Sequence, residues 1–318
     1  MTLFEKALIN DKSSFSDDNY NVNMQDDLGR TLLHYAVLGS SFDVIDILIK
    51  KGANVNILDN ELESPIFDCA RKAKLEIAKL LIINHAQLNK PNKKGEYLIH
   101  LAATKGDKTF IQLLVENKSL TTVQNHEGMF PVHHAILAGH IDIIKYLLTI
   151  SNQSFNLFDQ NNNSLLHYAA QTTNDLLIYF LISEGINPNL LNKNFETPLF
   201  NAARFGTKET ILALLSNDAY IDLKNKRGET PIDIALIYGK YDLETALNNY
   251  KMLPKYERLV RKQVLTLNVL NRNFNELEKQ VNNLNTMRLD KFNYSALDYA
   301  KLYQFSEAIE ILKKCPII

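Results

Sequence analysis

Tryptophan is absent from the 318 residues, and cysteine, proline and glycine are scarce at 2, 8 and 11. Two cysteines, Cys69 and Cys315, cannot build a disulfide framework, so a reduced, cytoplasmic setting is expected. No apolar stretch approaches the roughly 20 residues that a membrane-spanning helix needs. The opening MTLFEKALIND puts Glu5 and Lys6 where a secretory signal would keep an unbroken apolar run. The formal net charge is only −1, which argues against nucleic acid as a partner. There is no glycine-rich phosphate loop, nucleophile elbow or zinc-spaced Cys/His set, so neither an enzyme nor a cofactor or metal is expected.

What the chain does have is repetition. In Gly128–Leu148 (GMFPVHHAILAGHIDIIKYLL), Pro131 suits a helix start, because the first helical residue needs no bonded N–H. Gly139 interrupts the helix. Ile141, Ile143, Ile144, Leu147 and Leu148 then resume at helical spacing, with Asp142 and Lys145 on the opposite side. A pair of helices this short cannot bury its own apolar faces and needs copies of itself on either side. Positions matching Phe130 recur at Thr31, Ser64, Tyr97, Ser164, Thr197, Thr230 and Ser295, in steps of 33, 33, 33, 34, 33, 33 and 65.

Thr31-Leu-Leu-His34-Tyr-Ala36, Ser164-Leu-Leu-His167-Tyr-Ala169 and Thr197-Pro-Leu-Phe200-Asn-Ala202 stand at that register. Gly52-Ala-Asn-Val-Asn56, Gly185-Ile-Asn-Pro-Asn189 and Asp218-Ala-Tyr-Ile-Asp222 follow as tails. This resembles the ankyrin repeat, a 33-residue unit with a Thr-Pro-Leu-His-x-Ala signature. The resemblance covers nearly the whole chain. It implies an all-α solenoid of stacked helix pairs with β-turn or hairpin tips, about eight to nine repeats plus an N-terminal cap. Core strips are expected on the second helices: Val44, Ile45, Leu48 and Ile49; Ile77, Leu80 and Leu81; Ile111, Leu114 and Val115; Ile211, Leu214 and Leu215.

The expected divisions are a capping half-repeat at 1–28, repeats one to seven at 29–249, an inserted helix at 250–262, a degenerate repeat at 263–294, and a C-terminal capping repeat with its tail at 295–318. The segment after 249 also allows a second reading. Leu253, Tyr256, Val260, Leu267, Leu270, Phe274, Leu277, Val281 and Leu284 fit alternating steps of three and four, with Gln263 out of place. A coiled coil, and a dimer through 253–284, would use that pattern. Against it, Asn271-Arg-Asn273 falls where a repeat makes its inter-helix turn.

The resemblance assigns His34, His100, His133 and His167 to hydrogen bonds that hold each repeat, and His140 to another common family position after Gly139. A metal would need closing ligands. Cys69 replaces a signature alanine and is expected to be a buried thiol rather than a nucleophile.

What remains is a recognition surface. In the family, the tips and first helices line a concave groove that holds a protein partner. The expected partner-binding residues are Arg71, Lys72, Lys105, His134, Arg204, Phe205 and Tyr238 on the helices, with Lys93, Lys193 and Arg227 at the tips; arginine and aromatic side chains are favoured at binding hot spots. Phe195 and Lys226 are further tip candidates. Up to Asp68 the chain has 12 acidic and 5 basic residues, and the remainder has 24 and 30. That asymmetry points to an acidic peptide or protein segment lying against the central and C-terminal groove.

Other readings stay open. Cys315, fourth from the end and preceded by Lys313 and Lys314, resembles a prenylation box and would make the protein a membrane-anchored scaffold. Leu253-Pro254 opens a run resembling the F-box-like helices of some ankyrin families, which would make residues 250–290 the ligase-binding part of a ubiquitin-ligase substrate adaptor. The Asn-, Ile- and Lys-heavy composition suits a bacterial effector acting in a host cytoplasm.

Overall fold

The computed structural model describes residues 1–17, 19–151, 155–281 and 288–314. Cys315 and Leu284 therefore lie outside the described residues. The chain divides into two compact units, Met1–Ser154 and Phe155–Ile318. Among the described residues there are twenty α-helices, and β-pairing is confined to the isolated bridges Gln25–Thr31 and Phe158–Ser164.

In the first unit the cap helix Leu3–Leu8 and a 3-10 turn, Lys12–Phe15, precede four helix pairs. These are Leu32–Gly39 with Phe42–Lys50, Ile66–Lys72 with Leu75–Ile83, Leu98–Lys105 with Lys108–Glu116, and Pro131–Leu137 with Ile141–Ser151. Among the described residues no helix exceeds 11 residues, too short to be stable alone in water. Stability comes from stacking: Leu48, Leu81 and Leu114 are fully buried, as are Leu33, Ile66 and Ile99 on the first helices. Ile49, Leu80 and Val115, at the edge of the expected strips, are half-buried.

Each repeat is joined to the next by a turn that one side chain organises. Asp59 Oδ1 accepts the N–H groups of Glu61 and Glu63, and Asn92 Oδ1 those of Lys94 and Glu96. Asn192, Asn225 and Asp290 do the same in the second unit. Successive tips are then tied together, Lys93 N–H to the Glu61 carbonyl (2.9 Å) and Lys226 N–H to the Asn194 carbonyl (2.9 Å).

The second unit begins in the same way, with Leu165–Ala169 and Asp175–Ser183, Pro198–Phe205 and Lys208–Ser216, and Pro231–Ile237 and Tyr241–Lys251. The chain then changes course. A connecting helix, Pro254–Lys262, leads to two further pairs, Val264–Leu270 with Phe274–Gln280 and Ala296–Leu302 with Ser306–Lys313. First-helix stacking runs from Leu165–Ala169 to Pro231–Ile237 and resumes only between Val264–Leu270 and Ala296–Leu302.

The last two pairs turn back onto loops far upstream. The Tyr299 hydroxyl accepts from Asn187 Nδ2 (2.5 Å), and the Tyr303 hydroxyl from the Leu191 N–H (2.7 Å). The connecting helix docks there too: the Tyr256 hydroxyl accepts the Ile221 N–H (2.8 Å) and donates to Asp222 (3.0 Å). Asn271 accepts from the Lys224 N–H (2.9 Å) and donates to the Asp222 carbonyl (3.1 Å).

This arrangement corrects one expectation. Over its described residues the heptad pattern of 253–284 is not one long helix but three short ones, broken at Gln263 and at Asn271–Asn273. Of its positions Tyr256, Leu267, Leu270 and Leu277 are buried, Val260, Phe274 and Val281 are half-buried and Leu253 is 44% exposed, so they form no single continuous seam.

Candidate functional site

The signature histidines are structural. His34 Nδ1 accepts the Thr31 N–H (3.0 Å), so its protonated Nε2 donates to the Glu63 carbonyl of the next repeat (3.0 Å). His100 and His167 repeat the bridge to Met129 and Glu196 (3.1 and 2.9 Å). Burial favours the neutral imidazole and pushes the pKa of His100 and of His167 down to about 4. His140 reaches the Thr104 carbonyl (3.2 Å). Cys69 is buried in an apolar setting that raises its thiol pKa to about 12, which fits a packing role.

His134, expected to meet a partner, is half-buried and committed within the first unit. The Thr104 hydroxyl donates to the His100 carbonyl (3.0 Å), so His134 Nδ1–H donates to Thr104 Oγ1 (3.1 Å). Its other nitrogen faces Asn125 Nδ2 (3.4 Å), and its ring meets His100 edge-on at 5.1 Å.

Arg71 and Arg204 are also paired inside the fold. Arg71 bonds Glu63 and lies 3.6 Å from Asp68. Arg204 makes a forked contact with Glu196 (2.8 and 3.3 Å) and reaches Asn201 (3.4 Å). Burial opposes the charge on Arg204, but the hydrogen bond and the charge of Glu196 outweigh it and raise its pKa. Neither guanidinium is the free cation that the sequence suggested. The glutamate partners precede the arginines by eight residues, across the tip, a spacing that helical reading does not look for.

The remaining candidates are at the surface. Lys72, Lys105, Lys193 and Arg227 are exposed, and Lys93 forms an exposed pair with Glu61 at 3.7 Å. In the second unit, Arg204 lies 5.8 Å from the Phe205 ring and 5.5 Å from the Tyr238 ring, and those two rings meet edge-to-face at 6.1 Å. Phe205, Ile237 and Tyr238 are 52%, 62% and 50% exposed. A cavity of about 390 Å³ opens beside them, lined by Arg204, Ile237 and Tyr238, by the cations Lys226 and Arg227, and by the carboxylates Glu196 and Glu229. Phe195, by contrast, is half-buried and spent internally: Arg272 stacks on it at 4.1 Å, and Lys226 stands over the same ring at 5.4 Å.

The comparisons with known proteins agree with this architecture. The chain is 51% identical over 45 residues to the nuclear factor NF-kappa-B p105 subunit of Gallus gallus, covering 14% of this chain and 5% of that protein. It is 39% identical over 62 residues to the ankyrin repeat-containing protein P1E11.10 of Schizosaccharomyces pombe, covering 20% and 28%. The chain thus spans only a minor part of the length of these relatives. The human ASB11 ankyrin repeat domain superposes with a TM-score of 0.62 at 24% identity, over 71% of this chain and all of that one, a likeness of fold. A family model described as ankyrin repeats in three copies matches residues 6–92, 66–159, 99–192 and 166–252. With its signature histidines bridging successive repeats, the chain belongs to the ankyrin repeat family.

Proposed function

We infer that the chain is a non-enzymatic protein-interaction module, and that the second unit grips a partner segment carrying a large apolar residue next to acidic ones. Ankyrin repeats are protein–protein interaction modules in general. The observation that carries the finer reading is the exposure, side by side, of Phe205, Ile237 and Tyr238 next to the exposed Lys226 and Arg227. Three large apolar side chains left in water at one place are costly unless something covers them. With Glu196 taken up by Arg204, Lys226 and Arg227 outnumber the remaining carboxylate of the lining, Glu229, and favour carboxylates on what does. Arg204 serves as a scaffold here: held by Glu196, it fixes both rings and spends no charge on the partner.

Lys193 adds long-range attraction rather than contact in this reading, and Lys72, Lys93 and Lys105 belong to the first unit. Action in a host cytoplasm would change where the partner is met and not how it is held. Selection from a random peptide library on the full chain tests the assignment. Enriched peptides should combine Asp or Glu with an aromatic or large aliphatic residue, and Tyr238→Ala should weaken them about tenfold or more. Enrichment of basic peptides, or binding indifferent to Tyr238→Ala and Lys226→Glu, would overturn it.

A further inference from the structure

We propose that the two C-terminal helix pairs are an intramolecular clasp, which opens and closes on loops 186–191 and 219–225 about the helix Pro254–Lys262. When closed, the clasp sets the tips that line the cavity beside Tyr238. Three features carry this.

The covered loops are an added interface and not a requirement of the repeat. At equivalent positions in the first unit Asn54, Gln87 and Lys90 are exposed, and Leu58 is 39% exposed. Their counterparts Asn187, Tyr220, Leu223 and Leu191 are buried. The repeats hold their shape in the first unit with that face open, so those of the second do not need the clasp to fold.

The connector is held by one side chain. Of the nine residues of Pro254–Lys262 only Tyr256 is buried, its hydroxyl tying the helix to Ile221 and Asp222, while both flanking helices bury several. Segments with few buried apolar contacts are where proteins open locally.

The closed clasp pins two tips. Phe195 has φ of 60°, as its counterpart Leu62 has 59° at an uncovered tip, so the turn itself sets that conformation and what the clasp adds is contact with the ring. Arg272 stacks on its ring and donates to the carbonyls of Lys224 (2.9 Å) and Asn225 (3.2 Å), and Phe305 meets it at 5.9 Å. One side chain of the clasp thereby fixes both tips that reach the cavity. Opening takes Arg272 off the Phe195 ring and off the carbonyls of Lys224 and Asn225, which loosens Lys226 and Arg227, so closure and partner binding strengthen one another. This coupling rests on the reading of the cavity as a partner site; the clasp itself does not.

Hydrogen exchange on the full chain, comparing the wild type with Tyr303→Phe and Arg272→Ala, tests the clasp. Tyr303→Phe keeps the ring and removes one hydrogen bond, so folding should survive. Amides of 187, 189–191, 219–225 and the four clasp helices should exchange faster by a common factor, about threefold to tenfold for each lost bond. The helices Pro198–Phe205 and Lys208–Ser216 should stay unchanged. Unaltered loops, or acceleration spread evenly through 155–251, would overturn the clasp. So would a concentration-dependent dimer that keeps the loops protected, because docking would then be between copies. Arg272→Ala should also weaken a library-selected peptide about threefold. Unchanged affinity with the expected exchange pattern would sink the coupling alone; a wild type that binds no peptide would sink the partner reading and leave the clasp to the exchange data.

Discussion

The second repeat of the first unit and its counterpart four repeats later are built on the same residues up to the surface and then diverge. Glu63 pairs with Arg71 as Glu196 pairs with Arg204, and Leu81 is buried as Leu214 is. At the surface, Lys72 and Lys105 occupy the positions of Phe205 and Tyr238. Leu62 at one tip is 44% exposed, whereas Phe195 at the other lies under Arg272. The scaffold is therefore shared while the faces are not. The first unit presents hydrated charge, and the second presents apolar rings on one side and a covered loop face on the other.

The strongest test of the shared scaffold is truncation of its core. Leu81→Ala and Leu214→Ala should each cost about 2–5 kcal/mol in urea melts, because both leave a cavity at a fully buried site. Costs below about 0.5 kcal/mol for either would break the equivalence.

Acid should act next, and on both units. His100 and His167 have a folded pKa of about 4 against 6.5 unfolded, so the unfolded chain takes up the protons first as pH falls. Stability should be full above pH 6.5 and decline from there towards pH 4, by roughly 3 kcal/mol per histidine at about 1.4 kcal/mol per pH unit. His100→Gln and His167→Gln, compared at pH 7 and pH 4.5, should each flatten that slope. A pH dependence identical to wild type in both variants would count against buried neutral imidazoles.

The paired glutamates sharpen the comparison. Arg204 is less exposed than Arg71 (16% against 36% of the side chain), so losing its partner leaves the more poorly hydrated charge. Glu196→Gln should cost about 1–3 kcal/mol and Glu63→Gln less, measured in the same melts. Glu196→Gln should also lower peptide affinity, because Arg204 orders the Phe205 and Tyr238 rings. The smallest effect is expected at Lys93, whose exposed pair with Glu61 should be worth under about 0.5 kcal/mol on Lys93→Ala.

Much of this was legible in the chain. The 33-residue register places His34, His100 and His167, whose two nitrogens serve equivalent partners in each of those three repeats, so one local pattern determines a recurrent bond. The helix pairs and most of the core strips follow from the same periodicity. The pairing of Arg71 and Arg204 was not legible, because it spans a turn whose course must be known before glutamate and arginine can meet. The docking of Tyr299 and Tyr303 on Asn187 and Leu191 was hidden by sequence distance. One signal for it was present: apolar Tyr220 and Leu223 stand in a loop where the equivalent repeat has Gln87 and Lys90.

The sequence by itself determined the repeat, its histidine bridges and its all-helical character, since these depend on residues within one unit length of each other. Only the tertiary structure decided which cations are neutralised, which rings stay in water and where the last two repeats dock. Those outcomes depend on which surfaces meet across many repeats, and a periodic pattern carries no information about a contact that breaks the period.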